Sequence, residues 1–284
     1  MSFQPVVPLS GYVGWRFLER TMDAQQTAFS ESQPIARAAD YFRENIGRIR
    51  TAEDLVSDRQ LLSVALGAFG LDEDINNSFF IQRILEDGTL DDVALANLLA
   101  LQVKGLQLCG VANRLADNRY AEFSRAFGFG DRPIARTSLL SFPDEIIGRF
   151  ESKQFERAVG EQNNDLRLAL NVRSGISDIL DGNQTSAGQW FSGMGNAPLR
   201  NVFETALGLP SSIASIDLDQ QREVFQERAR FVLGSDDLTE IAQPEQQEKL
   251  IRLFLVRSEA ASISVSSGAS AALTLLQSAP RLFG

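Results

Sequence analysis

The side-chain oxygens of Asp72, Asp74 and Asn76 stand at positions 1, 3 and 5 of a calcium-loop spacing, where alternate residues converge on one hard cation. The run departs at the two positions that close such a site. Asn77 stands where a glycine makes the sharp turn, and Arg83 where a glutamate gives bidentate ligation. No metal is expected there, and Asp72 and Asp74 read instead as negative charge at the start of the next helix, Ser78 to Leu85. Carboxylates could still do acid–base work, since one protonated and one ionised carboxyl can together cleave a glycosidic bond. Glu151-Ser152 is the nearest dipeptide to such lytic enzymes, but no Gly-Leu-Met-Gln-type segment follows it and it falls mid-helix. A carboxylate-dependent cell-wall glycan-cleaving enzyme is therefore the enzymatic alternative, with no catalytic residue assigned.

Other chemistry is removed by what the 284 residues lack. There is no histidine, so imidazole triads, HExxH zinc sites and histidine pH switches are excluded. The single cysteine, Cys109, lies in an apolar Leu-Cys-Gly-Val setting that raises a thiol pKa, and one cysteine makes neither a disulfide nor a metal cluster. Lys104, Lys153 and Lys249 are the only lysines and none stands in Gly-Lys-Ser/Thr, so no phosphate loop exists. Gly128-Phe129-Gly130 lacks the third glycine and the preceding strand of a dinucleotide fingerprint. Neither Ser-x-x-Lys nor Gly-x-Ser-x-Gly occurs. No metal and no organic cofactor is expected.

With 27 Lys and Arg against 37 Asp and Glu, the net charge is −10, and no cluster of five or more basic residues offsets it. Arg132-Pro133-Ile134-Ala135-Arg136 is the densest basic loop. Such a chain repels phosphate backbones and anionic lipid, so a protein partner is expected rather than nucleic acid or a membrane. Gly182 to Pro198 gathers four glycines around Trp190, Phe191 and Met194. An exposed Trp-Phe-Met group could anchor a partner, which makes Trp190, Phe191 and Met194 the candidate interaction residues. A short helix that packs them into the core is the plainer reading.

The elements that must carry these residues are helical. Pro34 suits a first helical position before Ile35 to Phe42, and Thr51 and Asp54 stand at capping-box spacing. Asp58 can cap Arg59 to Phe69, with Leu61, Leu62, Ala65, Leu66 and Phe69 on one face and Gly70 at the stop. Asp144 to Leu180 reads as long helix with a break near Gly160 to Asn164. Asp217 can cap Leu218 to Leu233, whose stripe is Leu218, Phe225, Ala229 and Val232. Pro244 opens a further helix carrying Leu250, Ile251, Phe254 and Leu255. Period-two alternation is confined to Ile263-Ser264-Val265-Ser266, so the fold class is all-α, a multi-helix globular architecture with irregular internal helical repeats.

The repeat is carried by Asp58-Arg59-Gln60-Leu61-Leu62 leading to Ala68-Phe69-Gly70-Leu71, and Asp117-Asn118-Arg119-Tyr120 leading to Ala126-Phe127-Gly128-Phe129. A weaker copy runs from Leu199 to Ala206-Leu207-Gly208-Leu209. The glycines are 58 and then 80 residues apart, irregular for a solenoid. Neither Val93 to Asn113, interrupted by Asn97, Gln102, Lys104 and Gln107, nor the serine-rich Ala260 to Pro280 is apolar enough to span a membrane. The first reads as a buried core helix, the second as a mobile tail ending in a short helix, Ala269 to Gln277. No positive stretch precedes the apolar residues of 1–15, so no secretory signal is expected. The expected organisation is an N-terminal helical segment 1–33, helical units 34–138 and 139–258, in one compact domain or two closely packed ones, and a Ser/Ala-rich tail 259–284.

The order of short segments resembles a known family. Tyr41-Phe42-Arg43, Asp54-Leu55, Asp58-Arg59, Ala68-Phe69-Gly70-Leu71, Arg83-Ile84-Leu85-Glu86, Ala112-Asn113-Arg114-Leu115-Ala116-Asp117 and Phe127-Gly128-Phe129 are similar to the bacterial family of domain of unknown function 1217. Pro198-Leu199-Arg200, Ala206-Leu207-Gly208-Leu209-Pro210, Asp217-Leu218-Asp219-Gln220-Gln221 and Pro244-Glu245 resemble its C-terminal half, for a span of roughly 35–257. One departure is that Ala-Asn-x-Leu-Ala occurs twice, at Ala96 to Ala100 and Ala112 to Ala116. The family is mainly alphaproteobacterial, often flagellum-associated and without an established activity. The resemblance implies a non-enzymatic accessory factor in flagellar assembly or motility, whether export substrate, adaptor or basal-body accessory. It would act in the cytoplasm or after export to the flagellum, with a flagellar component among the candidate partners. Its oligomeric state is left open.

Overall fold

A computed structural model describes residues 3–86, 118–129, 135–181 and 185–278, with the backbone alone at 118, 211 and 263–278. All regular structure among these residues is helical and no strand occurs. Lys104, Cys109, the paired Ala-Asn-x-Leu-Ala segments, the apolar run between them and most of the Arg132–Arg136 loop lie outside the described residues.

The chain divides into two units. The first comprises Met1–Val6 with Arg20–Gln162, and the second Val7–Glu19 with Asn163–Gly284. Helix α1 (Gly11–Ser30) therefore contributes residues to both. The boundary falls at 162/163, where 138/139 was the expectation from the sequence. The reason is packing: α7 (Phe142–Gly160) makes its most extensive contacts with α4 (Arg59–Ala68), inside the first unit.

In the first unit, α2 (Gln33–Asn45), α3 (Ala52–Ser57), α4, α5 (Ser78–Glu86), α6 (Asn118–Phe127) and α7 surround one apolar core. Phe42, Leu62, Leu66, Ile84, Phe123, Phe142 and Ile146 are buried in it. A chain of rings crosses this core, with centroids 5.4 Å apart for Phe69–Phe123, 5.1 Å for Phe123–Phe127 and 5.2 Å for Phe127–Phe142. Such spacings favour tilted and edge-on aromatic pairs. Gly67 makes the α4–α7 approach close, because a Cβ built there would lie 2.9 Å from the Phe150 ring.

The second unit contains α8 (Asn164–Asp181), α9 (Ser186–Gly195), α10 (Ala197–Leu207), α11 (Leu218–Val232), α12 (Leu238–Ile241) and α13 (Pro244–Ser278). The short α10 packs most extensively on α13 and next on α8. Leu250, Ile251, Phe254 and Leu255 are buried, as the apolar spacing after Pro244 requires. Trp15 is buried in this unit, donating its indole N–H to Glu248 Oε2 at 3.1 Å, with the Arg173 guanidinium over its ring.

The glycine stops behave as the repeat predicts. Gly70, Gly128 and Gly208 have φ of 67°, 67° and 68°, the left-handed region where a side chain is strained. At Gly70, Leu71 N–H donates to Leu66 O and Gly70 N–H to Gly67 O; at Gly208, Leu209 N–H donates to Glu204 O and Gly208 N–H to Thr205 O. Both are the paired closing bonds of a Schellman end, while Gly128 makes the simpler single bond to Ser124 O. Phe69, Phe127 and Leu207, just before each glycine, are buried. Arginines satisfy the carbonyls exposed at these ends: Arg119 on Gly70 O, Arg228 on Leu207 O at 2.8 Å and Arg257 on Ala206 O at 2.6 Å.

Two expectations are corrected. The mobile tail and the short Ala269–Gln277 helix are replaced by α13, which continues without interruption to Ser278. From Pro244 onward no proline interrupts it, and Gly268 alone costs about 1 kcal/mol. A helix already seeded by packed turns elongates without a second nucleation step. The four-residue alternation at Ile263–Ser266 accordingly lies in helix. Leu218, placed on the apolar stripe of α11, is exposed, because only Phe225 and Ala229 of that stripe reach the core and Leu218 lies in the first turn, beyond it.

Candidate functional site

An open concavity lies in the first unit. Its walls are the end of α2 and the α3–α4 hairpin, and its volume is about 660 Å³. Local sequence builds it in steps. Ser32 precedes α2 and Pro34 occupies its first turn, where the fixed φ of proline suits a helix start, and Tyr41 and Asn45 lie near the other end of the same helix. Thr51 then opens α3 with a full capping box. Its Oγ1 accepts the Asp54 N–H at 3.1 Å, and Asp54 Oδ2 accepts the Thr51 N–H at 3.0 Å and the Arg50 N–H at 3.1 Å. Asp58 opens α4, where its Oδ1 accepts the N–H groups of Gln60 at 3.0 Å and Leu61 at 3.1 Å.

Across the depression Tyr41 donates its phenolic O–H to Asp58 Oδ2 at 2.7 Å. That hydrogen bond, helped by burial, raises the Tyr41 pKa, so the phenol stays protonated as a donor. The backbone N–H of Arg50, then the Thr51 side chain and N–H, lower the Asp54 pKa and hold that carboxyl ionised. A general acid near neutrality needs the opposite displacement. Both aspartates are committed to starting helices, and the tyrosine is committed to one of them.

The calcium-like spacing does not converge. Asp72 Oδ1 accepts from Gln154 Nε2 at 2.8 Å and from Arg157 at 3.2 Å, both on α7. Asp74 is buried, taking the Asn77 amide at 2.8 Å on one oxygen and the Tyr120 O–H on the other. Asn76 Oδ1 accepts from Arg59 at 3.1 Å. The three side chains serve three separate contacts, and among the described residues no group of three or more acidic, cysteine or histidine side chains could hold a metal. Asp72 and Asp74 thus brace α7 and α6, a correction to their reading as simple charge ahead of α5. Glu151 lies within α7, partly exposed, as its mid-helix position requires.

Trp190, Phe191 and Met194 all fall on α9, yet they do not form an exposed group. Trp190 is 1 % exposed and Met194 4 %. The indole centroid lies 5.4 Å from Phe203 and 6.4 Å from Phe225, and its N–H donates to Asp236 O at 2.8 Å. Phe191 is half-buried beneath the Arg222 guanidinium. A large ring with an internal hydrogen-bond acceptor is more stable inside than in water, so the contact expectation for Trp190 and Met194 gives way to packing.

The exposed apolar side chains lie elsewhere. Leu140 is 98 % exposed, Phe231 81 % and Phe79 72 %. Leu139, also exposed, and Leu140 occupy a turn braced by Thr137, which donates its Oγ1–H to Ile49 O at 2.7 Å, and by Arg50 on Ser138 Oγ at 2.9 Å. Phe231 carries the Arg228 guanidinium against its ring. The sequence held one signal for the first of these: two leucines between Ser138 and Ser141 interrupt a polar turn just before Pro143.

Residues 108–247 match the family described as protein of unknown function, DUF1217. The fold is similar to a crystal structure of protein AGR_C_984 from Agrobacterium tumefaciens, with a TM-score of 0.68 and 24 % identity over 90 % of this chain and 98 % of that one. At that identity the likeness is one of fold. No functionally curated protein matches the chain. Among the described residues no helix is long and apolar enough to cross a membrane.

Proposed function

We propose, for a chain that carries the DUF1217 pattern over residues 108–247, that it is a helical interaction protein that works by contact, as an accessory factor in flagellar assembly or motility. The observation that carries the contact reading is the use made of the ionisable groups around the concavity walled by α2, α3 and α4. Asp54 and Asp58 cap helices, Tyr41 is hydrogen-bonded to one of them, and the displaced Asp54 carboxyl is displaced toward the ionised form. Carboxylates so employed support packing and helix starts rather than proton transfer. Exposed Leu139, Leu140, Phe79 and Phe231 supply apolar surface that a protein partner can cover. The acidic balance favours a protein partner over nucleic acid or anionic lipid. The flagellar setting rests on the family association, with the protein acting in the cytoplasm or after export.

Gene deletion followed by complementation tests the proposal. Loss of swimming or of assembled flagella with normal growth is the expected result, and complementation by Leu140→Asp or Phe231→Asp should fail while Glu53→Gln complements. Normal motility in the deletion strain would end the flagellar setting. A carboxylate variant that alone reproduces the deletion, with apolar variants fully active, would transfer the function to a glycan-cleaving enzyme.

A further inference from the structure

We draw no further inference here: the strongest candidate, the depression between the end of α2 and the α3–α4 hairpin with Glu53, Asp54 and Asp58 on its walls, is an acidic cluster at a helix start, and among the described residues no buried unpartnered side chain is aimed into it to say what ligand it would hold.

Discussion

Replacing Trp190 separates a core residue from a contact residue. Trp190→Ala removes a fully buried indole together with its packing on Phe203 and Phe225 and its hydrogen bond to Asp236 O. Large-to-small changes of this kind cost about 3–5 kcal/mol. Trp190→Phe retains most of the apolar area but leaves the Asp236 carbonyl without its indole donor, a loss of about 1–3 kcal/mol. With a urea slope of about 2 kcal/mol per molar, a loss of about 4 kcal/mol for the alanine variant moves the midpoint down by about 2 M. The phenylalanine variant should fall about halfway. Trp15, the other tryptophan, is buried in the same unit and remains as an intrinsic fluorescence probe in both variants. Equilibrium unfolding in urea, followed by Trp15 emission, gives both midpoints. An alanine variant that unfolds at the wild-type urea concentration would refute the buried assignment and return Trp190 to the surface.

Two glycines in helices should answer alanine with opposite signs. Gly148→Ala has no atom within 4 Å of the added Cβ and should stabilise by up to about 1 kcal/mol, whereas Gly67→Ala, 2.9 Å from the Phe150 ring, should destabilise by about 1–3 kcal/mol; scanning calorimetry showing the same sign for both would contradict the α4–α7 packing. Gly70→Ala and Gly208→Ala each force a side chain into the left-handed region and should cost about 1–2 kcal/mol. Thermal melts unchanged in either variant would count against the Schellman ends. The lowered Asp54 pKa means that its folded form ionises more readily than its unfolded form, so its stabilisation is present above the unfolded value of about 3.9 and is lost as pH falls through the folded one. Asp54→Asn should flatten the acid limb of the stability–pH curve below about pH 4. Parallel curves for wild type and variant would show that the capping box does not couple to acid unfolding.

Much of this fold is written in local chemistry. The Thr51–Asp54 box, the Asp58 and Asp217 caps and the glycine ends at 70, 128 and 208 involve partners within five residues. Their geometry follows from backbone donors and acceptors that the adjacent sequence must satisfy. The all-α class follows from the same punctuation together with the apolar spacing on α4 and α13. Burial on α9 and α11 was a different matter, because it depends on which neighbours arrive. Trp190 is inside because Phe203, Phe225 and Asp236 O, between 13 and 46 residues away in sequence, close around it. Phe231 and Leu218 are outside although their residue types favour the core. The carboxylates of Asp72 and Asp74 look like ligands when only their spacing is read, and the arrival of Gln154, Arg157 and Tyr120 assigns them to bracing. The unit boundary likewise follows the packing of α7 on α4, a contact that spans some 80 residues of sequence. Hydrogen bonds within a turn are specified by neighbours along the chain, whereas the side of a helix that becomes core is set by distant surfaces that exclude water from it.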